Sequence, residues 1–476
     1  MGNNILFKAS ISLAVIVIAL SVYFLGANAI VLVACLVFLI AAMAKKDYLL
    51  MFLVMFFSVF PKVNLISVSG TGTSIRIEDF VAAFVILFVA LMALKNNKGF
   101  AAKHVTKLIF LFIGVSFVSY VLGMSQRTIE PSLVAFLYLF RRLEYLSFFF
   151  IGYFIASKGS AKVVKNASIL SIVIIAIFAV LQKLEIIGGF YQGNYISSAA
   201  GGRLLSTFGN PPELAAFVAI MFTFAALGFI EERNKLFWLA LGLIEVYLLF
   251  ASGTRIVFIS IPVGLVVLAL FKKKVKFIII PLLIVSMFIM ADQAQFIISR
   301  FDVLLKPETI NFIKDTFTDR GYTATEKMIS PEQIFFLDID YSSLTRAYIW
   351  ASAYKMFLNY PVFGSGQSAF GDFVDNNYVR MLAENGIIGF IVFLLLIRNI
   401  WKSCVRIYND GTTQREIKNY ALFILIMITN MMVMAFTVDI FESARTAIIF
   451  WLFVGVFFKL AAAEKENMLS SGIIRA

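Results

Sequence analysis

Long apolar segments separated by polar connections make up most of the chain. A helix needs about 20 apolar residues to cross the hydrocarbon core of a membrane, and fourteen segments approach that length. They lie at 8–25, 27–44, 48–61, 78–94, 108–124, 132–156, 167–185, 213–230, 236–251, 256–271, 277–291, 386–400, 419–438 and 445–460. The pattern predicts an all-α polytopic membrane protein with about 14 transmembrane helices, the first of them a retained anchor.

Composition supports a membrane location. Of the 476 residues, 61% are hydrophobic and only 14% are charged, whereas soluble domains have about 45–50% apolar and about 25% charged residues. These values exclude soluble enzymes, disordered chains and disulfide scaffolds. With a single histidine, His104, catalytic triads and histidine metal sites are excluded unless they are built from that one residue, and the two distant cysteines offer neither a disulfide framework nor a metal cluster.

Basic residues predict the sidedness of the helices. Most of the 41 Lys and Arg lie in connections that fall on one side if the N-terminus is cytoplasmic. We therefore expect both termini in the cytoplasm and the functional surface on the opposite side of the membrane. The net charge of +13 is explained by this topology, so nucleic acid is not expected as a partner.

One connection is much longer than the others. The sequence divides into helices 1–11 with short loops over 1–291, a loop subdomain over 292–385, and helices 12–14 with a tail over 386–476. Residues 349–361 have helical spacing of apolar side chains before a proline, so the loop is expected to be partly helical. Because long loops usually bind or cover something, we expect the function there and in the Gly-rich segment 186–212.

Ionisable residues at membrane depth are candidates for function. The sixth span contains Arg141, Arg142 and Glu144. Glu144 can pair with Arg141 at a spacing of three residues, which leaves Arg142 for a cavity or an anionic partner.

Three more arginines lie near the predicted outer surface: Arg203, Arg255 and Arg346. The first two lie among Gly, Ser and Thr residues that offer further hydrogen-bond donors. Each arginine alone is typical of an interfacial anchor. Because guanidinium groups bind phosphate oxygens bidentately, the set predicts a site for a lipid phosphate or pyrophosphate.

The acidic candidates are Asp375, Glu213, Glu384, Asp439 and Glu442. A place in the first turn of a helix explains Glu213, and ion pairs with Arg445 would explain Asp439 and Glu442. Asp375 precedes a membrane-entering helix and is close to Asn376, Asn377, Tyr378 and Arg380. It is either a catalytic carboxylate or part of a helix cap.

Five blocks of sequence, in order over about 140–400, resemble the O-antigen polymerase and O-antigen ligase superfamily. They are RRLEYLSFFFIGYF, GGRLLSTFGNPPELAAF, LLFASGTRIVFISIPVGLVVL, RAYIWASAYKMFLNYPVFGSG and DNNYVRMLAENGIIGFIVF. The ligase branch has His-Asn, nine residues, Gly, two residues and Gly. Asn376, Gly386 and Gly389 fit this spacing, but Asp375 replaces the histidine, which favours the polymerase branch.

The resemblance implies a GT-C-type glycosyltransferase that uses an undecaprenyl-diphosphate-linked oligosaccharide as donor and acceptor, with no metal and no cofactor. It places Arg203, Arg255 and Arg346 near the donor diphosphate. Arg142, Asn376, Tyr378 and Arg380 are further candidates for binding the diphosphate or glycan, and Asp375, with Arg203 and Arg255, for catalysis. A chain-length regulator is an expected protein partner, and membrane lipid surrounds the helices.

Two alternatives stay open at this point. An O-antigen ligase or protein O-oligosaccharyltransferase would use the same donor with a different acceptor. A flippase or transporter for lipid-linked glycans could also contain buried arginines, but the sequence has no detectable internal repeat of the kind typical of such transporters.

Overall fold

The computed structural model describes residues 27–470 apart from 62, 68–73, 96–101, 130–132, 192–193, 197–202, 274–340 and 370–374. Most described residues are helical. The helices are α1 (Ala27–Ala42), α2 (Lys46–Val59), α3 (Ile77–Lys95), α4 (Lys103–Ser125), α5 (Leu133–Ile155), α6 (Ser160–Lys183), α7 (Pro211–Glu231), α8 (Lys235–Ser252), α9 (Val257–Lys272), α10 (Tyr341–Asn359), α11 (Asn377–Asn409), α12 (Arg415–Met434) and α13 (Ala444–Ser470).

Helices coincide with twelve of the predicted spans, while the other two, 8–25 and 277–291, lie outside the described residues. Seven described helices, α4, α6, α7, α8, α11, α12 and α13, are long and apolar enough to cross a membrane. The protein is therefore a helical multi-pass membrane protein, and the total of 14 spans stays a prediction, as do the three domain boundaries. The helix expected within the long loop is present as α10.

The structure also contains two short antiparallel β-hairpins, which the sequence pattern did not predict. Strands β1 (Asn64–Ser67) and β2 (Ser74–Arg76) precede α3, and β3 (Gly189–Tyr191) and β4 (Asn194–Ile196) follow α6. Strands of three or four residues are too short for period-2 alternation to be recognised in a chain dominated by apolar runs.

Local signals explain where the central helices begin and end. Asn210 caps α7 by accepting a hydrogen bond from the Glu213 backbone N–H at 2.8 Å, and prolines follow it in the first turn. Glu213 lies in this first turn, as expected. The next helix, α8, is capped by Asn234 and ends at Gly253, whose left-handed backbone (φ +61°) closes the C-terminus.

The centre of the bundle is formed by α13, which packs along α5. Gly152 of α5 and Gly455 of α13 lie against each other's helix, and a Cβ on either would collide with a backbone carbonyl, that of Leu452 or Phe149. Small residues permit such close approach of helices in membranes, where packing rather than water exclusion drives association. Most of α7, α12 and α13 is buried, while α4, α6 and α8 are largely exposed at the periphery.

Helix ends that the charge pattern assigns to one side do meet at one end of the bundle. At the predicted inner end, Lys272 Nζ donates to Glu231 Oε1 and Asn419 Oδ1, each at 2.8 Å, and Arg415 Nε donates to Glu231 Oε2 at 2.7 Å. These contacts join α7, α9 and α12. The opposite end contains the group of buried charges described below.

The close contact between α5 and α13 at Gly152 and Gly455, called the α5–α13 seam, can be tested by its effect on stability. Gly455→Ala should lower the free energy of unfolding by about 1–3 kcal/mol, because the added methyl group forces the helices apart. Gly114→Ala is the matched control, since a Cβ at Gly114 of α4 meets nothing within 4 Å. The control should be neutral or slightly stabilising. Thermal unfolding in detergent measures both, and equal midpoints would contradict the tight seam.

Candidate functional site

Five charged side chains form one connected group at the end of the bundle that is predicted to face outward. We call this group the buried charge network: Arg142 of α5, Arg380 and Glu384 of α11, and Asp439 and Glu442 of the connection between α12 and α13. Arg142, Arg380 and Glu384 are each at most 4% exposed. Charges buried this deeply persist only when they are paired and hydrogen-bonded.

Arg142 connects four elements. Its Nη2 contacts Glu442 Oε1 at 2.5 Å and Glu384 Oε2 at 3.4 Å, and its Nη1 donates to Asn385 Oδ1 at 2.6 Å and Ser116 Oγ at 3.3 Å. The expectation that Arg142 would lack a protein partner is therefore wrong. Its partners are acids far away in sequence, which local spacing could not reveal.

Arg380 forms the second half of the network. Its Nε contacts Glu384 Oε1 at 3.1 Å, one helical turn away, and its Nη1 contacts Asp439 Oδ2 at 3.0 Å. The guanidinium also lies over the Tyr138 ring, 5.7 Å from its centroid. Glu384 is thus shared by both arginines and joins the two halves.

A break in α11 positions Glu384. Gly386 has φ +64° and ψ −170°, a conformation that L side chains rarely adopt, so the helix is interrupted directly after Asn385. The break is filled by the chain after α10. Ile387 N–H donates to the Pro361 carbonyl and Ser365 N–H to the Ala383 carbonyl, each at 2.8 Å. Interrupted membrane helices of this kind occur where backbone borders a cavity or binding site.

Asn385 holds the network in register with neighbouring elements. Its Oδ1 accepts hydrogen bonds from Arg142 and, at 3.0 Å, from Gln367 Nε2, while its Nδ2 donates to Ser116 Oγ at 3.2 Å. This amide therefore links α4, α5, α11 and the segment after α10. Asn385 is not among the site residues predicted from the sequence. The sequence signal that could have identified it is an asparagine that follows an acidic residue and precedes a glycine within an apolar helix.

A second buried ion pair lies nearby. Arg445 of α13 contacts Glu78 Oε2 at 3.0 Å and donates to the Thr207 carbonyl at 2.9 Å. Glu78 also contacts Arg76 Nη1 at 3.4 Å. The predicted pairing of Asp439 and Glu442 with Arg445 is thus replaced by pairs with Arg380 and Arg142.

Asp375 and Arg346 form a more open pair beside the network. Arg346 Nε of α10 contacts Asp375 Oδ2 at 3.2 Å, and the two side chains are 33% and 40% exposed. Asp375 has a left-handed backbone (φ +50°), which Asp tolerates better than most residues. Burial raises the pKa of the Asp375 carboxyl above its usual value. The Arg346 guanidinium opposes this rise, and the nearby Asp439 carboxylate adds to it.

Asn376, rather than Asp375, caps α11. Its Oδ1 accepts from the backbone N–H groups of Tyr378 at 3.0 Å and Val379 at 3.1 Å. The Tyr378 hydroxyl donates to the Met432 carbonyl at 2.6 Å. These contacts anchor the start of α11 on α12, and they free Asp375 from the capping role that the sequence left open. Substrate contacts of Asn376 and Tyr378 stay predictions.

Arg203 and Arg255 are close to the turn between α8 and α9. Arg203 Nε donates to the Ser252 carbonyl at 2.8 Å, and its Nη2 donates to Thr254 Oγ1 at 3.2 Å. Arg255 follows Thr254 directly. Arg346, in contrast, is held by Asp375. The described contacts therefore place the three predicted phosphate ligands in two groups, one on the α8–α9 turn and one at the start of α11.

Arg141 and Glu144 do not form the ion pair that their spacing on α5 predicts. Arg141 Nη2 lies 3.6 Å from Asp79 Oδ2 of α3, and Glu144 makes no hydrogen bond or ion pair with any residue that the structure describes. The two consecutive arginines of α5 therefore lie in different environments. Arg142 enters the network, whereas Arg141 faces a groove between α3 and α5.

Part of the chain is similar to a known protein family. Residues 236–394 match the family model described as O-antigen ligase. The interval runs from α8 into the inner part of α11 and includes Arg255, Arg346, Asp375, Arg380 and Glu384. It also contains the last three of the five sequence blocks that carry the resemblance. A search of curated proteins found no match to the chain.

The network yields a prediction about stability. Arg142→Met should destabilise the protein by about 3–5 kcal/mol, because it leaves Glu384 and Glu442 without their shared partner inside the bundle. Arg398→Met, at an exposed position of the same long helix α11 as Glu384, is the control and should unfold like the wild type. Denaturant or thermal unfolding of the purified protein compares them. Equal stability of the two variants would show that the network is dispensable.

Proposed function

We propose that the chain is a polysaccharide polymerase of the O-antigen ligase and polymerase superfamily, and the family match over residues 236–394 supports this proposal. In this proposal it joins undecaprenyl-diphosphate-linked oligosaccharide repeat units on the periplasmic side of the bacterial inner membrane and releases undecaprenyl diphosphate. The observation that carries the proposal is the half-exposed Asp375 carboxyl with its raised pKa, directly beside a rigid buried charge network.

The chemistry requires few groups. A hydroxyl at the non-reducing end of the acceptor attacks the anomeric carbon of the donor sugar, and the bond to the diphosphate breaks. The leaving group is already good, so the protein has chiefly to align the two substrates and stabilise the departing negative charge. We propose no metal for this step.

Asp375 is proposed as the general base. A base works best when its pKa is near the operating pH, and burial together with Asp439 moves the pKa of Asp375 in that direction. The ion pair with Arg346 orients the carboxyl, and the exposed fraction of both side chains leaves access for a substrate hydroxyl.

Arg203 and Arg255 are proposed to bind the diphosphate. The two hydrogen bonds of Arg203 fix its guanidinium on the α8–α9 turn, the turn that also contains Arg255. We propose that both guanidinium groups contact phosphate oxygens of one diphosphate. Arg142 and Arg380 already have two carboxylate partners each, so their proposed role is to hold Glu384 and the start of α11 in place.

A second candidate function is ligation, favoured by the description of the matched family as O-antigen ligase. A ligase would transfer the same glycan to a different acceptor. The decisive experiment supplies the purified full-length protein in lipid nanodiscs with defined lipid-linked repeat units alone. A ladder of longer products supports polymerisation. Product formation only after a second acceptor is added would establish ligation instead and overturn the polymerase proposal.

In the same assay Asp375→Asn should slow polymerisation by about 100-fold or more, the usual contribution of a general base. Arg203→Ala and Arg255→Ala should each slow it by about 100-fold, since each removes stabilisation of the leaving group. The controls are Asp410→Asn, in the connection between α11 and α12, and Arg233→Ala, at an exposed position of the α7–α8 connection. Wild-type ladders from any of the three site variants would remove that residue from the site.

The pH dependence gives a separate prediction. If Asp375 is the base, activity rises as its carboxyl loses a proton. Arg346 lowers the pKa of Asp375, so Arg346→Ala should raise that pKa and move the acidic limb of kcat/KM to higher pH. Arg346→Lys keeps the positive charge and should leave the limb near its wild-type position. A limb that stays fixed in Arg346→Ala, or moves to lower pH, would contradict the assignment.

A further inference from the structure

An open groove lies between α3 and α5, next to the buried charge network but outside it. Its volume is about 260 Å³. Apolar side chains form most of its walls, including Phe80, Leu137 and Phe140, and three charged side chains enter it: Asp79, Arg141 and Glu144. Tyr138 separates the groove from the network, because its side chain lines the groove and its ring also lies against the Arg380 guanidinium.

Glu144 is the unusual member of this lining. It is only 4% exposed, it lines the groove, and it forms no hydrogen bond or ion pair with a described residue. Its oxygens border the open groove and interact electrostatically with Arg141, so they are available to a hydrogen-bond donor that enters the groove. Across the groove, Arg141 contacts Asp79. The groove therefore offers two carboxyl groups and one guanidinium to an occupant.

An apolar strip continues from the groove along α3. Ala83 lies in the groove, and Leu87 and Leu91 follow it at spacings of four residues on the same helix face. The two leucines are 46% and 42% exposed. Phe140, at the groove itself, is 44% exposed. The groove is thus joined to a surface suited to a hydrocarbon chain in the surrounding membrane.

We propose that this groove binds one phospholipid with a protonated primary amine in its head group. The ammonium group contacts the carboxylates of Glu144 and Asp79, the phosphate contacts Arg141, and an acyl chain lies along Ala83, Leu87 and Leu91. This arrangement gives the Glu144 carboxylate a hydrogen-bond donor, which none of the described residues supplies. It also matches a zwitterionic head group to a site that contains both signs of charge.

Charge complementarity selects this ligand over other membrane lipids. A head group with phosphate alone, or a diphosphate, would bring further negative charge next to two carboxylates. A quaternary ammonium head group carries a positive charge but no N–H, so it cannot donate a hydrogen bond to Glu144. The site therefore differs in chemistry from the proposed diphosphate site at Arg203 and Arg255, and it does not depend on which reaction the protein catalyses.

Native mass spectrometry of the full-length protein in detergent tests the proposal, with phosphatidylethanolamine, phosphatidylcholine or phosphatidylglycerol added at equal concentrations. The ethanolamine lipid should bind most tightly to the wild type. Glu144→Gln keeps the shape of the side chain but removes its charge, and it should weaken that binding about tenfold while leaving the glycerol lipid unaffected. Glu245→Gln is the matched control, because Glu245 is an equally buried carboxyl on α8, which lines no part of the groove.

A second variant keeps the test decisive if Glu144→Gln folds poorly. Ala83→Trp fills the groove from its exposed side and should abolish binding of the ethanolamine lipid without loss of thermal stability. The proposal is overturned if phosphatidylglycerol or phosphatidylcholine binds the wild type as tightly as the ethanolamine lipid does. It is also overturned if folded Glu144→Gln or Ala83→Trp protein retains wild-type binding of that lipid.

Discussion

Burial of ionised side chains within an apolar helical bundle is the constraint on which the candidate site depends. Arg142 and Arg380 cannot remain inside the protein alone, so each has carboxylate partners from other elements. Glu384 contacts both arginines. One group of contacts therefore holds together α5, α11 and the α12–α13 connection. One member of this group, the Asp439 carboxylate, also raises the pKa of the nearby Asp375 carboxyl.

The ion pair of Asp375 and Arg346 differs from the buried charge network in its exposure to solvent. Its members are exposed enough to meet a substrate, whereas the network residues are enclosed. The proposed role of Asp375 as a general base depends on this combination of an accessible carboxyl and buried, paired charges beside it. The helix break at Gly386 contributes to this division, because it lets the outer part of α11 follow the segment after α10 while the inner part stays in the bundle.

Much of the architecture could be predicted from sequence, because hydropathy depends on local composition. Described helices coincide with the predicted spans wherever both exist, and the helix ends at Asn210 and Gly253 follow local rules. The partners of buried charges could not be predicted in this way. Arg142 lies 300 positions from Glu442, and Arg445 lies 367 positions from Glu78. Spacing within one segment predicted an ion pair between Arg141 and Glu144, and ion pairs of Arg445 with Asp439 and Glu442. In the structure these arginines instead pair with acids from distant parts of the chain, Arg141 with Asp79 and Arg445 with Glu78.

The position of α13 at the centre of the bundle has a consequence for biogenesis. This helix is synthesised after every other described helix, yet it occupies the seam along α5 and supplies Arg445 for Glu78, while the residues just before it supply Glu442 for Arg142. The carboxylates that pair with Arg142 and Arg380 precede α13 in the chain, but Glu78 lacks the Arg445 guanidinium until α13 inserts. The ion pair that joins α3 to α13 is thus completed only at the end of translation. A nascent chain released before α13 would leave Glu78 without this buried counter-ion.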